Sequence, residues 1–214
     1  MSKVTSTKNQ IVEGALAALL SDGLPNLSYD RVAQAAGTSR QLVRYHFRDP
    51  DALMVTVCDR LAAAYGEALA EGGLPVREGR SGLHALFDFL LDALDGRPKP
   101  RDEAVFDALA VHAPTSPRIR AALRGHYALL GRAIAEEAQA AHPALGDEAA
   151  AEIAYLAVAL VYGHWRMVAA LGFAEAHRAI TRTALDRIVA SYLEGEDGHA
   201  ADVVPWTEEG EAAA

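Results

Sequence analysis

The stretch that decides the fold is residues 28–47, which read SYDRVAQAAGTSRQLVRYHF. Ser28 has the side chain of a helix N-cap, and the short helix that follows it is predicted to end at Gly37. Thr38 or Ser39 can cap a second short helix directly after that glycine. Two short helices joined by a tight, glycine-containing turn are the pattern of a helix-turn-helix.

The remainder of the chain has helical periodicity, and no stretch alternates as a strand would. Apolar residues at helical spacing over residues 11–20 predict a helix before the motif. Residues 49–51, Asp-Pro-Asp, predict the start of a fourth helix that runs to about Glu71. Further helices are predicted near 82–94, 102–113, 117–141, 148–171 and 175–193, with caps at Ser81, Asp102, Ser116 and Asp147. The fold class is therefore all-α, with about nine helices.

Charge suggests how these helices are grouped. Residues 1–48 carry six basic and three acidic side chains, whereas the whole chain has a net charge of −9. A small basic module on an acidic body is the pattern of a nucleic-acid-binding domain attached to a larger one. We expect a helix-turn-helix domain at 1–50, a helical domain at 51–193, and a solvated, mobile acidic tail at 194–214.

Composition also bounds the cellular setting. Cys58 is the single cysteine, so the chain has no intrachain disulfide and no Cys-rich zinc site. The amino terminus lacks the apolar segment of a secretory signal. The longest apolar run, residues 153–163, is shorter than the roughly 20 residues of a membrane-spanning helix. These features predict a cytoplasmic protein without a membrane partner.

The amino end of the second motif helix carries residues that can read bases. It begins Thr38-Ser39-Arg40-Gln41. Arginine can donate two hydrogen bonds to guanine, and glutamine can pair in the same way with adenine. Val43 would anchor the inner face of this helix. An exposed arginine and glutamine are also common on surfaces that bind nothing.

The carboxyl half of the same helix has a basic and aromatic face. Arg44, Tyr45 and His46 would lie near the phosphates of a duplex, and Phe47 would complete the inner anchor begun by Val43.

Three segments carry a resemblance to a known family. Residues 35–39 (AAGTS), residues 43–47 (VRYHF) and Leu53 resemble the amino-terminal signature of TetR/AcrR transcriptional regulators. That family has Ala-Gly-Val-Ser, Leu-Tyr-x-His-Phe and Lys-x-x-Leu at these places. The resemblance covers about residues 8–60 and implies an N-terminal DNA-binding domain followed by a larger ligand-binding and dimerisation domain. It implies DNA contacts at Ser28, Tyr29, Ser39, Arg40, Gln41, Arg44, Tyr45 and His46, to which base-reading geometry adds Thr38.

The chain departs from the family pattern at two positions. Arg44 stands where a phosphate-contacting tyrosine is usual, and a charge-assisted bond to phosphate can replace that contact. Pro50 stands where a lysine usually meets the DNA backbone, and it cannot replace that contact. Asp49 and Asp51 are expected to repel phosphates locally.

The segment 147–171 is apolar on nearly every side. Such a helix is expected to be buried on more than one face. The resemblance implies that the last two helices form a homodimer interface, and a duplex read by two copies favours the same arrangement. The alternative is a central core helix in a monomer.

A regulator of this kind would bind a small-molecule effector among the middle helices, with no resident cofactor. The ligand is not readable from the sequence, and ordinary core packing is the alternative for each candidate. We expect the helix that starts at Pro50 to transmit ligand binding to the DNA-binding domain. The candidates are aromatic, aliphatic or histidine side chains, namely Phe87, Leu91, Phe106, His112, Tyr127, Tyr162 and Trp165.

Two other classes of function are alternatives to a DNA-binding regulator. The eight histidines lack metal-ligand spacing, and the chain has no nucleophile elbow, phosphate loop or dinucleotide fingerprint, so neither a metal site nor an enzyme is expected. A helical ligand-binding or interaction protein that has lost DNA binding is the other alternative. The favoured interpretation is a homodimeric, ligand-responsive regulator, and most simply a repressor of a palindromic operator.

Overall fold

A computed structural model describes residues 3–23, 27–70, 81–94, 103–195 and 205–206, with backbone only at 3–6 and 68–70. These residues form helices and turns without a strand, which confirms the all-α prediction. The helices are α1 Lys3–Asp22, α2 Tyr29–Ala35, α3 Arg40–His46, α4 Pro50–Ala70, α5 Gly82–Leu90, α6 Glu103–His112, α7 Pro117–Ala141, α8 Asp147–Leu171 and α9 Arg178–Glu194. Short 3₁₀ turns at Ala113–Thr115 and Glu175–His177 precede α7 and α9.

The described helices belong to two compact units. The first unit holds α1, α2, α3, α4 to Gly66, α6, and α7 to His126. The second unit holds α5, α7 from Tyr127, α8 and α9. Domain limits at residues 50 and 193 remain a prediction.

A close helix crossing fixes the motif on α1. A Cβ built on Gly14 of α1 would lie 2.6 Å from the Cβ of Ala36, so only glycine permits this approach. The Gln10 side chain donates to the Ala36 carbonyl at 2.7 Å. Gly37 then turns the chain with φ of +60°, a left-handed conformation that favours glycine. The turn between α2 and α3 is thus held from α1.

Local capping explains where the short helices begin. The Ser28 hydroxyl accepts from the Arg31 N–H at 3.3 Å, and the Ser39 hydroxyl accepts from the Leu42 N–H at 3.2 Å. Both bonds satisfy backbone donors that a helix start leaves without partners. The predicted cap Ser28 is confirmed, and of the two candidate caps for α3, Thr38 and Ser39, the structure has Ser39.

Other predicted helix ends differ from the structure. Helix α5 stops at Leu90 rather than near residue 94, because Asp92 adopts φ of +52° and the Ala93 N–H turns back to the Asp88 carbonyl at 2.7 Å. Gly146, not Asp147, occupies the N-cap of α8. The predicted cap Asp102 lies outside the described residues.

The core of the second unit combines α5, α8 and α9. Helix α5 is buried along most of its length, and the Trp165 indole of α8 donates to the Leu90 carbonyl at 2.8 Å. Arg182 of α9 donates from Nε to Asp88 of α5 at 2.7 Å. An ion pair between the half-buried Arg182 and the buried Asp88 therefore joins α9 to α5.

Helix α8 is long and apolar enough to cross a membrane by length and composition alone. At 25 residues, α8 is longer than the apolar run 153–163, whose length was the reason to expect no membrane-spanning helix. Core helices of soluble proteins meet the same criterion, and nine residues of α8 are buried within the protein. Its apolar character alone is therefore weak evidence for a membrane.

Candidate nucleic-acid interface

Helix α3 separates an anchored face from an exposed face. Val43 is fully buried and Phe47 is 3% exposed, so these residues fix the helix to the first unit. Arg40 and Gln41 are exposed at the amino end of the helix, directly after the capping residue Ser39. The residues predicted to read bases thus project away from the anchor.

Arg40 is oriented by a neighbour on α2. Its guanidinium lies 3.1 Å from the Asp30 carboxylate, and both side chains are more than half exposed. An exposed ion pair of this kind contributes little net stability. The arginine can therefore exchange this partner for a base edge at small cost.

The other end of α3 presents an aromatic and basic surface. Tyr45 is 70% exposed, and its ring meets that of His46 edge to face at 5.2 Å between centroids. Arg44 is exposed beside them. The Lys8 ammonium lies 5.5 Å from the centre of the Phe47 ring, which adds a positive charge near the end of α3. An exposed tyrosine between basic residues is well suited to phosphate contact.

The remaining predicted DNA contacts, Thr38, Ser28 and Tyr29, differ in how accessible they are. Thr38 is half-buried, and its backbone N–H donates to the Ala33 carbonyl at 2.9 Å. Ser28 is exposed, but its hydroxyl already accepts the capping bond from Arg31. The Tyr29 hydroxyl is buried and has no hydrogen-bond partner among the described residues. Burial, with the nearby Asp49 charge, raises the pKa of Tyr29 although Arg44 opposes the change.

Both aspartates that flank Pro50 have partners from the α6–α7 region. Arg118 of α7 pairs with Asp49, and the Ser116 hydroxyl donates to Asp51. The His112 ring lies 3.7 Å from Asp51. The phosphate repulsion expected from these aspartates is thus partly offset within the first unit. The sequence held no local signal for these contacts, because the partners lie more than sixty positions away.

A cavity of about 250 Å³ opens beside the start of α2 and the start of α4. Its wall is mainly apolar and includes one predicted effector residue, His112. The lining residues are Leu27, Ser28, Tyr29, Val32, Pro50, Asp51, Leu53, Met54 and His112.

The seven predicted effector residues divide between the two units. Tyr127 and Tyr162 meet edge to face in the second unit, with ring centroids 4.6 Å apart. The other second-unit candidates, Phe87, Leu91 and Trp165, are buried in its core. Phe106 and His112 belong to the first unit, where Phe106 lies 6.4 Å from the Tyr65 ring and His112 lies near Asp51.

Helices α8 and α9 carry a second exposed surface. Tyr155, Leu156 and Met167 of α8 are 51%, 38% and 46% exposed, and Ile180 of α9 is 68% exposed. With the exposed Ala159 and Gly163, the α8 residues recur at helical spacing and form one stripe. We call this stripe, residues 155, 156, 159, 163 and 167, the α8 face. Within the single chain α8 is therefore buried on one side and exposed on the other.

Comparison with known proteins identifies the fold. No protein-family model and no curated protein sequence matches the chain. A TetR transcription regulator from Haloarcula marismortui superposes with a TM-score of 0.74 and 15% identity, covering 87% of this chain and 98% of that one. The chain has the TetR-regulator fold.

Two further solved structures share the TetR-regulator fold. A protein from Saccharomonospora viridis, described as a transcriptional regulator and solved with choline, has a TM-score of 0.69 and 22% identity over 87% of this chain and 96% of its own. The multidrug-binding protein EbrR, solved with ethidium, has a TM-score of 0.66 and 19% identity over 85% of this chain and 98% of its own.

The TetR-regulator fold has an N-terminal DNA-binding domain and a larger helical domain. Here α1, α2 and α3 form the N-terminal part.

Proposed function

We propose that this chain is a DNA-binding transcription regulator whose α3 enters the major groove of a duplex. The observation that carries the proposal is the division of α3 into an inner face anchored by Val43 and Phe47 and an outer face of exposed polar residues. An α-helix with its side chains is about 10–12 Å in diameter. A helix of that diameter fits a major groove about 12 Å wide.

Within this proposal the predicted contacts have different roles. Arg40 and Gln41 read base edges, with support from Thr38 and Ser39 at the helix start. Arg44, Tyr45 and His46 approach phosphates, and Ser28 approaches the backbone from the start of α2. Tyr29 is the exception: with its hydroxyl buried, it supports the start of α2 rather than binding phosphate itself.

We further propose that the regulator is a homodimer that pairs through the α8 face. Exposed apolar residues at helical spacing on a long helix favour a helical partner. Two copies would place two α3 helices one turn of DNA apart, about 34–36 Å, and would read a palindromic operator. Arg40 and Gln41 would then contact each half-site.

A small-molecule effector is proposed to bind among the aromatic residues of the larger domain. Support comes from the half-buried pair Tyr127 and Tyr162 and from the neighbours of this fold that were solved with choline or ethidium. The effector would release DNA by preferring a conformation in which the α3 helices are misplaced. A repressor of this kind would act in the cytoplasm, where it meets the chromosome.

A salt titration of duplex binding tests the DNA-binding proposal. Fluorescence anisotropy with a random-sequence duplex should show affinity that falls steeply as salt rises, because phosphate contacts release counterions. Binding that is absent at low salt, with a well-folded protein, would instead favour a ligand-binding protein that has lost DNA binding.

A further inference from the structure

The described part of the C-terminal tail is seated on the second unit. Trp206 lies against Gly131 of α7 and against Tyr155 of α8, whose ring centroid is 5.4 Å from that of Trp206 at an interplanar angle of 63°. That geometry is an edge-to-face aromatic contact. Apart from Pro205 and Trp206, the tail beyond Gly195, which the sequence predicts to be mobile, lies outside the described residues.

The absence of a side chain at Gly131 makes this contact with Trp206 possible. It is a buried residue inside a helix, where glycine is among the least favourable residues. A Cβ at this position would collide with Cζ2 and Cε2 of the Trp206 indole. Gly125, on the same helix, has open space around it. The packing of Trp206 thus requires glycine at position 131, whereas nothing packs against position 125.

The contact of Trp206 with Gly131 and Tyr155 lies at one end of the α8 face. The Tyr192 hydroxyl of α9 donates to Glu152 of α8 at 2.6 Å, one helical turn before Tyr155. The last turn of α9 therefore lies beside the end of α8 at which the α8 face begins. Trp206 lies against Tyr155, the first residue of that face.

We propose that Trp206, seated on Gly131 and Tyr155, completes the α8 face and contacts a second copy of this chain. This inference rests on the proposed homodimer. Trp206 would increase the affinity of the two copies for each other. Trp206 keeps part of its surface exposed, and tryptophan is enriched among residues that dominate interface affinity. A ring already held in place loses little freedom on association, so its contact adds to affinity.

The first experiment tests whether the Trp206 indole packs against Gly131 and Tyr155 in solution. With 5-fluorotryptophan, the chain gives two ¹⁹F signals, from Trp165 and Trp206, and Trp206→Ala assigns them. Gly131→Ala should move the Trp206 signal to the position of a solvent-exposed indole. The matched variant Gly125→Ala should leave both signals in place. A Trp206 signal already at the exposed position in the unaltered protein would overturn the inference.

The second arm measures the dimer by sedimentation velocity over a dilution series. Trp206→Ala and Gly131→Ala should each raise the dimer dissociation constant at least tenfold, while Gly125→Ala leaves it within twofold and circular dichroism shows unchanged helix content. A dimeric protein whose affinity is the same in all variants would overturn the role of Trp206 alone. A protein that is monomeric at every concentration would overturn the homodimer as well.

Discussion

Arg118, in the first turn of α7, forms an ion pair with Asp49, which lies directly before α4 and close to the end of α3. The two residues are 69 positions apart in the chain. Their contact joins the α7 start to the loop between α3 and α4, and it neutralises a carboxylate beside the proposed phosphate contacts. Under the proposed function, the pair would give Arg118 an indirect part in DNA binding.

Arg118→Ala is expected to weaken duplex binding by up to about fivefold, since an exposed pair of this type is worth at most roughly 1 kcal/mol. The unpaired Asp49 would then repel the DNA phosphates. Because salt screens this repulsion, the loss of affinity should become smaller as the salt concentration rises. Fluorescence anisotropy at two salt concentrations checks this. Arg120→Ala, which removes an exposed charge from the same helix, serves as control; an equal loss there would show that only net charge matters.

Arg40→Lys is expected to relax sequence preference while retaining most of the affinity for random duplexes. Lysine keeps the charge but lacks the planar fork that donates two hydrogen bonds to guanine. The discrimination lost should be about 1–3 kcal/mol at one base pair of each half-site. Competition between the selected site and its single-base variants measures it. An unchanged ranking of those variants would remove Arg40 from base reading.

Arg44→Ala is expected to weaken binding to all duplexes alike. A lost phosphate contact should reduce the slope of log affinity against log salt by about one per DNA-binding subunit. Titrations at four or more salt concentrations give that slope. Arg132→Ala, an exposed arginine of α7 in the second unit, should keep the original slope. A selective loss at particular sequences would instead assign Arg44 to base reading.

The stability of the first unit should depend on pH through His126. Burial lowers the pKa of His126, although the Asp59 carboxylate 3.6 Å away acts in the opposite direction. The unfolded chain binds a proton on this ring below about pH 6.5, while the folded chain binds it only at a lower pH. The contribution to the free energy of unfolding is therefore fully present above about pH 6.5 and is lost as the pH falls towards the folded pKa.

Urea unfolding at pH 7.5 and 5.5 measures this loss. His126→Gln should reduce the difference between the two pH values, whereas His177→Gln, an exposed histidine, should leave it unchanged. A pH dependence that persists in full in His126→Gln would assign it to other groups.

Arg182→Met is expected to lower the free energy of unfolding by about 3–5 kcal/mol, because it removes the charged partner of a buried carboxylate. That carboxylate, Asp88, is 6% exposed. Burial acts to lower the pKa of Arg182, but its hydrogen bonds with Asp186 and Asp88 outweigh burial and raise the pKa, so the guanidinium carries its charge. Urea unfolding checks the size of the effect. Adding Asp88→Asn to Arg182→Met should recover part of the loss, and a single-variant loss below about 1 kcal/mol would contradict the account.

The part of this fold that is coded locally could be predicted from the sequence. Ser28, Gly37 and Ser39 act within four residues of themselves, through caps and one left-handed turn, so the limits of α2 and α3 agree with prediction to within a residue or two. The early end of α5 was missed because Asp92, which is not a glycine, adopts a left-handed conformation there.

Contacts between distant segments could not be predicted in the same way. Nothing near Gly131 indicates that it receives Trp206, and nothing near Tyr29 indicates that its hydroxyl is buried. Such contacts depend on how helices pack, which helical periodicity does not specify. The candidate base-reading residues were predictable, since their exposure follows from the position of Val43 on a short helix.

The most direct measurement is selection of bound sequences from a pool of random duplex DNA by the purified full-length protein. The account predicts enrichment of a palindrome with half-sites one helical turn apart, and loss of that enrichment in Arg40→Ala. Equal recovery of all sequences at low salt, with a protein that is folded and dimeric, would contradict it.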